Sequence, residues 1–375
     1  MMAGFYFLCP VFLQQTWNFS QDIYTFSRWN CYYTILCIIV GIVASVTLLK
    51  LVIQSSASTV ASPGRQAAMA SSCFSMVSLY GSYLQRCMSR AGLSSQTMDI
   101  DDETTLHFWG PNHSSSSKKP KKPAVILIHG FGPDALWQWR KQAVFLAHDF
   151  EVYIPNLVFF GNSTTKSGKR SEVFQAESVG KLVEKLGIKR YSVVGTSYGG
   201  FVAYRMGLMW PERVEKVVIA SSGVNMSPTD NPDLLNRAQL HKIEDLMLPA
   251  SPSHLRTLLS LAVFRPLHYI PDFFLNDVLH KLYSGNRKEK MELLKGLTLG
   301  RDDTENLSPL QQEVLIVWGE HDQIFQLEKA IKLKEFLGEK ARLQVISNTA
   351  HVPQIENPTH FNNIIKLFLH GNGSF

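Results

Sequence analysis

YSVVGTSYGG, residues 191–200, decides how the rest of the chain is read. It opens with Tyr191, Ser192, Val193 and Val194, a short apolar run of the kind expected of a strand buried on both faces. Gly195, Ser197 and Gly199 follow in the pattern G-x-S-x-G, and beyond Gly200 an apolar helical stretch runs to Trp210-Pro211. Such a pattern specifies a sharp strand-to-helix turn in which the serine hydroxyl stands clear above the sheet, with small flanking residues permitting the strained backbone. Five letters alone are a weak signal. The strand in front and the helix behind make it specific.

Outward from this turn the same rhythm repeats. AVILIHG (124–130), FEVYIPN (150–156), VEKVVIA (214–220), EVLIVWG (313–319) and ARLQVIS (341–347) read as strands, and 172–187 and 326–338 as helices. Alternation of this kind predicts an α/β fold with a mostly parallel central sheet and helices on both faces. The polar, proline-broken segment 112–123 reads as a loop. Between 224 and 308 the rhythm breaks into a helical stretch rich in Leu, Phe and Pro, expected to be an inserted helical cap. The core is then 95–223 together with 309–375. No internal repeat is evident.

A serine hydroxyl becomes a nucleophile only with a base beside it and a carboxylate orienting that base. Asp322 follows the strand 313–319 and His351 follows the strand 341–347, so both fall at carboxyl ends of strands, where open α/β sheets place their sites. His321 competes for the base and Glu320 for the carboxylate. The chain order Ser197, Asp322, His351 favours the latter two. After the first buried strand comes His129-Gly130-Phe131-Gly132, a loop expected to shape an oxyanion hole from the backbone N–H groups of Phe131 and Tyr198. His129 is expected to hydrogen-bond within that loop, while Gly130, Gly132, Gly195 and Gly199 allow close backbone approach. No metal or organic cofactor is implied.

Composition narrows the rest. Hydrophobic residues make up 45% and charged residues 18% of 375, an ordinary globular balance, with a modest net charge of +6. Part of that charge is the run Lys118, Lys119, Lys121 and Lys122, read as a solvated loop. Without zinc-type spacing or a basic helix face, nucleic acid is not an expected partner. The 5 cysteines, Cys9, Cys31, Cys37, Cys73 and Cys87, all precede the core, so no disulfide can staple it. Residues 31–49 carry no charge, and 31–53 is a candidate transmembrane helix in an amino-terminal extension, 1–68. Lys50 and Arg65 beyond it favour a cytosolic catalytic domain if that extension is genuine, membrane-associated through it. Alternatively translation starts at Met69 and the protein is cytoplasmic. The segment 69–94 reads as amphipathic over 73–93, suited to lying on a membrane or on the domain itself.

With these residues in place, 95–370 resembles the α/β-hydrolase fold superfamily, in its monoacylglycerol-lipase and epoxide-hydrolase-like branch, and is similar to a plant group of it. HGFG (129–132), PNLVFFGNS (155–163), VVGTSYGGFVAYRM (193–206), VWGEHDQIF (317–325) and AHVPQIENP (350–358) carry the resemblance. Epoxide hydrolases of this fold have aspartate at the elbow, where this chain has Ser197, so epoxide opening is disfavoured. Asn156 stands where relatives often carry Asp and is expected to support the loop near Gly161. The resemblance implies a serine hydrolase forming an acyl-enzyme from a small-molecule ester or lipid-like substrate. Two alternatives stay open: carbon–carbon hydrolysis by the same residues, and a ligand receptor with slow turnover.

Overall fold

A computed structural model of the protein describes residues 75–112, 122–267, 269–301 and 307–371. The candidate span 31–53, and all of 1–68, lie outside these residues. Among the described residues no helix is long and apolar enough to cross a membrane.

Helix α1 (Met76–Arg90) leads into the antiparallel pair β1 (Leu93–Asp99) and β2 (Thr104–Pro111). There follow β3 (Ala124–Ile128), α2 (Ala135–Leu146), β4 (Glu151–Pro155), the two-residue β5 (Thr164–Thr165), α3 (Glu172–Lys185), β6 (Tyr191–Thr196), α4 (Tyr198–Met209) and β7 (Val214–Ala220). The insert carries α5 (Asp230–Ala238), α6 (Ile243–Met247), α7 (Pro252–Ala262), α8 (Asp272–Val278) with a π-turn over Leu279–Tyr283, and α9 (Arg287–Lys295). The chain then adds β8 (Glu313–Gly319), α10 (Leu327–Leu337), β9 (Ala341–Ile346), α11 (Pro353–Glu356) and α12 (Pro358–His370).

Among the described residues a 9-stranded sheet runs β1-β2-β4-β3-β6-β7-β8-β9, with β5 on β2. It is parallel from β4 to β9 and antiparallel at β1, β2 and β5. Alternation along the strands sorts side chains onto two faces. Ile126, Val193, Val217, Ile219, Val314 and Ile316 enter one core, covered by α3, α4 and α10. Val125, Leu127, Val194, Val218, Leu315 and Val317 enter the other, covered by α1, α2 and α12. Two covered faces explain why these strands are apolar at nearly every position.

Helix α1 occupies most of the expected amphipathic segment. Val77, Leu84 and Met88 pack inward, whereas Leu79, Tyr80 and Tyr83 are exposed. In the insert, Leu255, Leu275, Leu279 and Tyr283 make one small core, and Leu234, Leu246 and Leu261 join a second with Ile324. Much of its apolar content is therefore consumed internally, and Phe273 faces outward.

The return from the insert is tied to the core by Glu172, whose side chain is fully buried at the start of α3. It accepts hydrogen bonds from Arg205 Nε (3.1 Å), from the Thr298 N–H (3.0 Å) and from the Thr298 hydroxyl. Glu172→Gln keeps the shape but removes the charge that compensates Arg205. A loss of about 2 kcal/mol is expected, read as a lower urea midpoint at unchanged slope.

Candidate active site

Strand β6 delivers Ser197 to the start of α4 at φ 52°, ψ −122°. A non-glycine residue held there is strained by order 1–3 kcal/mol, so the surroundings must enforce it. They do so by close backbone approach. A Cβ on Gly195 would lie 2.1 Å from the Gly199 carbonyl oxygen, and one on Gly199 would lie 2.3 Å from that of Ile128. One on Gly200 would lie 2.4 Å from the Ser222 side chain. The Ser197 N–H donates to the Ala220 carbonyl at 2.9 Å, fixing the turn to the neighbouring strand.

The loops after β8 and β9 bring Asp322 and His351 to this serine. His351 Nε2 is 3.0 Å from Ser197 Oγ, and His351 Nδ1 is 2.9 Å from Asp322 Oδ2. The other Asp322 oxygen accepts from the Ile324 and Phe325 N–H groups at 2.8 and 3.0 Å. A carboxylate so held accepts from Nδ1–H, which leaves the Nε2 lone pair facing the hydroxyl. The loops approach closely because position 319 is glycine: a Cβ there would sit 1.9 Å from the Ala350 carbonyl oxygen. His321, the competing base, instead stacks on Phe264 with ring centroids 4.2 Å apart. Glu320 is half-exposed beside it, accepting from the Asn348 N–H at 3.3 Å.

The loop after β3 lies against the elbow. A Cβ on Gly130 would come within 2.9 Å of Ser197 Cβ. His129 is fully buried: its Nδ1–H donates to the Gly130 carbonyl (2.8 Å) while Nε2 accepts from the Leu157 N–H (3.0 Å). Burial pushes its pKa down to about 4, so the ring is neutral at physiological pH and serves as a loop brace. Neither the Phe131 nor the Tyr198 N–H has a hydrogen-bond partner among the described residues. Asn156 Oδ1 accepts from the Ala135 N–H (2.9 Å), and its amide packs under Gly161, where a Cβ would lie 2.1 Å away.

Motif reading passed over two supporting residues. Gln138, in the first turn of α2, accepts from the Gly130 N–H at 2.8 Å and donates to the carbonyls of Gly130 (3.0 Å) and Pro133 (2.6 Å). Glu356 accepts from the N–H groups of Ala350 (2.7 Å) and Phe264 (2.9 Å), linking the His351 loop to the insert. A glutamine or glutamate acting through tertiary contacts leaves no spacing signal. Gln138→Ala is expected to loosen the loop beside Ser197. Steady-state kinetics should show kcat lower by roughly ten- to a hundredfold with KM little changed.

Among the described residues no group of His, Cys, Asp or Glu could hold a metal ion.

Comparison with known proteins bears on the family and the fold. Residues 123–358 match the family model for the alpha/beta hydrolase fold. A 2-hydroxy-6-oxononadienedioate/2-hydroxy-6-oxononatrienedioate hydrolase of Pseudomonas sp. is 27% identical over 258 residues, covering 65% of this chain and 87% of its own. Among solved structures, a bacterial membrane phospholipase A superposes with TM-score 0.66 at 20% identity, covering 88% of this chain and 100% of its own. The carboxylesterase CesB of Bacillus subtilis does so with TM-score 0.57 at 18% identity, covering 78% and 98%. Below 25% identity these two likenesses speak for the fold alone. Sheet order, elbow and family match together make this chain a member of the α/β-hydrolase fold family.

Proposed function

We propose that the protein is a serine hydrolase that cleaves a carboxylic ester through an acyl-enzyme on Ser197. The observation carrying this is the hydrogen-bonded series Asp322–His351–Ser197, with steps of 2.9 and 3.0 Å. In this reading His351 Nε2 takes the Ser197 proton as Oγ attacks the ester carbonyl, forming a tetrahedral intermediate. The Phe131 and Tyr198 N–H groups receive the developing oxyanion. His351 then protonates the leaving alkoxide, the alcohol departs, and the same base activates the water that releases the acid. Asp322 holds the imidazole orientation and offsets its positive charge. The insert 224–308 acts as a cap, and the aromatic wall of Phe131, Phe160 and Tyr198 favours an apolar acyl body.

The relatives support a second reading, carbon–carbon hydrolysis of a vinylogous diketone. The Pseudomonas relative is named as a hydrolase of a 2-hydroxy-6-oxo dienedioate, and a 26% identical relative as a 2-hydroxymuconate semialdehyde hydrolase, substrates that suit this chemistry. Both readings need the same activated serine, so the first test is labelling by a fluorophosphonate. Wild type should label, and Ser197→Ala and His351→Ala should not; unlabelled, folded wild type would overturn both. Turnover of p-nitrophenyl hexanoate against a ring-fission dienoate then separates them. Hydrolysis of the dienoate alone would replace the ester reading.

A further inference from the structure

A cavity of about 110 Å³ opens beside the oxyanion loop, lined among others by Gly132, Asp134, Phe160, Asn286 and Lys290. Lys290, on α9 of the insert, is only 5% exposed. Its ammonium stands 4.8 Å from the Phe160 ring centroid and has no hydrogen-bond or ion-pair partner among the described residues. The Asp134 carboxylate lines the same cavity and its charge acts on Lys290, but it makes no hydrogen bond to it; its Oδ1 caps α2, accepting from the Leu136 N–H at 3.1 Å. Burial pulls the Lys290 pKa down to about 8, against the opposing pull of Asp134. A nearly buried lysine whose three donors have no protein acceptor gains from an acceptor that enters the cavity it lines.

The cavity shares the 129–132 loop with the proposed active site, although none of Ser197, Asp322 and His351 lines it. Gly130 abuts Ser197, and Gly132, two residues along the same loop, borders the cavity, where a Cβ on it would lie 3.5 Å from the Tyr283 hydroxyl. Between them the Phe131 ring packs edge-on to Tyr198 (5.7 Å) and Phe160 (5.3 Å), and Phe160 is the ring beneath Lys290. Two residues of chain span at most roughly 7 Å, a distance bridged by a tether of several carbons. We infer that the Lys290 cavity is a subsite for a carboxylate, so that the substrate has an apolar body with a reacting carbonyl at one end and an acid at the other. This rests on the serine-hydrolase reading and specifies its substrate class.

The test uses p-nitrophenyl monoesters of glutarate, adipate and pimelate against the neutral pentanoate, hexanoate and heptanoate. In wild type at least one acid-bearing ester should exceed its neutral partner in kcat/KM by about tenfold or more. Lys290→Met should reduce that ratio about tenfold, and Lys290→Arg should retain most of it. Using the ratio cancels any general loss from a disturbed cap. Free adipate should also slow fluorophosphonate labelling of wild type more than hexanol does, which keeps the proposal testable if Lys290→Met does not fold. Equal ratios in wild type and Lys290→Met, or labelling indifferent to adipate, would overturn it. Absence of labelling altogether would instead remove the parent reading.

Discussion

Asp322→Asn is expected to lower kcat for ester hydrolysis by about four orders of magnitude while the protein stays folded. Asp322 accepts on both oxygens: Oδ2 from His351 Nδ1–H, and Oδ1 from two backbone N–H groups. An asparagine can keep its carbonyl oxygen on the backbone pair and turn its NH₂ toward His351. The imidazole must then accept at Nδ1 and carry its proton on Nε2, facing the Ser197 hydroxyl. In that tautomer it cannot remove the serine proton, and the positive charge it gains in the transition state has no compensating carboxylate. KM should change little, because Asp322 is buried behind His351 and closed off from solvent. Single-turnover kinetics against wild type, with circular dichroism to check folding, measure this. A loss below about tenfold would mean that Asp322 does not orient the base. Glu320, the carboxylate two residues earlier, would then need testing despite its exposed position.

The sequence was most legible where the sheet is covered on both sides. Strands β3, β6, β7 and β8 are nearly unbroken apolar runs because their apolar residues alternate between the two cores, and the observed bounds lie within a residue or two of the expected ones. The antiparallel edge escaped for the opposite reason. In β1, LSSQTMD, only Leu93 is fully buried, so its composition is that of a polar loop. In β2, the buried His107 and Thr104 interrupt the apolar pattern, being satisfied by Asn156 and Thr165 from elsewhere in the chain. Ser197 could be named because the elbow constrains its neighbours to small residues at fixed spacing, and Asp322 and His351 because each follows a legible buried strand in the chain order Ser, Asp, His. Gln138, Glu172, Glu356 and Lys290 could not, since what each does depends on pairings the linear chain does not display. The insert illustrates the same limit: its helical character was evident, but Phe273 faces solvent while Leu255 and Leu275 fill its own core.

Gly199→Ala is expected to destabilise the protein by about 3 kcal/mol or more and to abolish fluorophosphonate labelling of whatever remains folded. Adding a methyl to a helical glycine ordinarily stabilises by up to about 1 kcal/mol. Here the sign reverses, because the new Cβ would meet the carbonyl oxygens of Ile128 and His129 at 2.3 and 2.5 Å. Those atoms cannot give way cheaply. Ile128 is fully buried and in register with Gly195, and His129 is braced by its bonds to Gly130 and Leu157. Either α4 must lift away from β3, carrying Ser197 and the Tyr198 N–H with it, or the 129–132 loop must move and take the Phe131 N–H. Both displacements break the alignment of nucleophile and donors. Gly168→Ala is the matched control, since a Cβ there has nothing within 4 Å; it should be neutral or slightly stabilising. Urea midpoints and labelling rates of the two variants against wild type are the measurement. A Gly199→Ala protein as stable and as reactive as wild type would show that close approach of α4 to the end of β3 does not set the elbow. The proposed pairing of Phe131 and Tyr198 as oxyanion donors would then lose its geometric support.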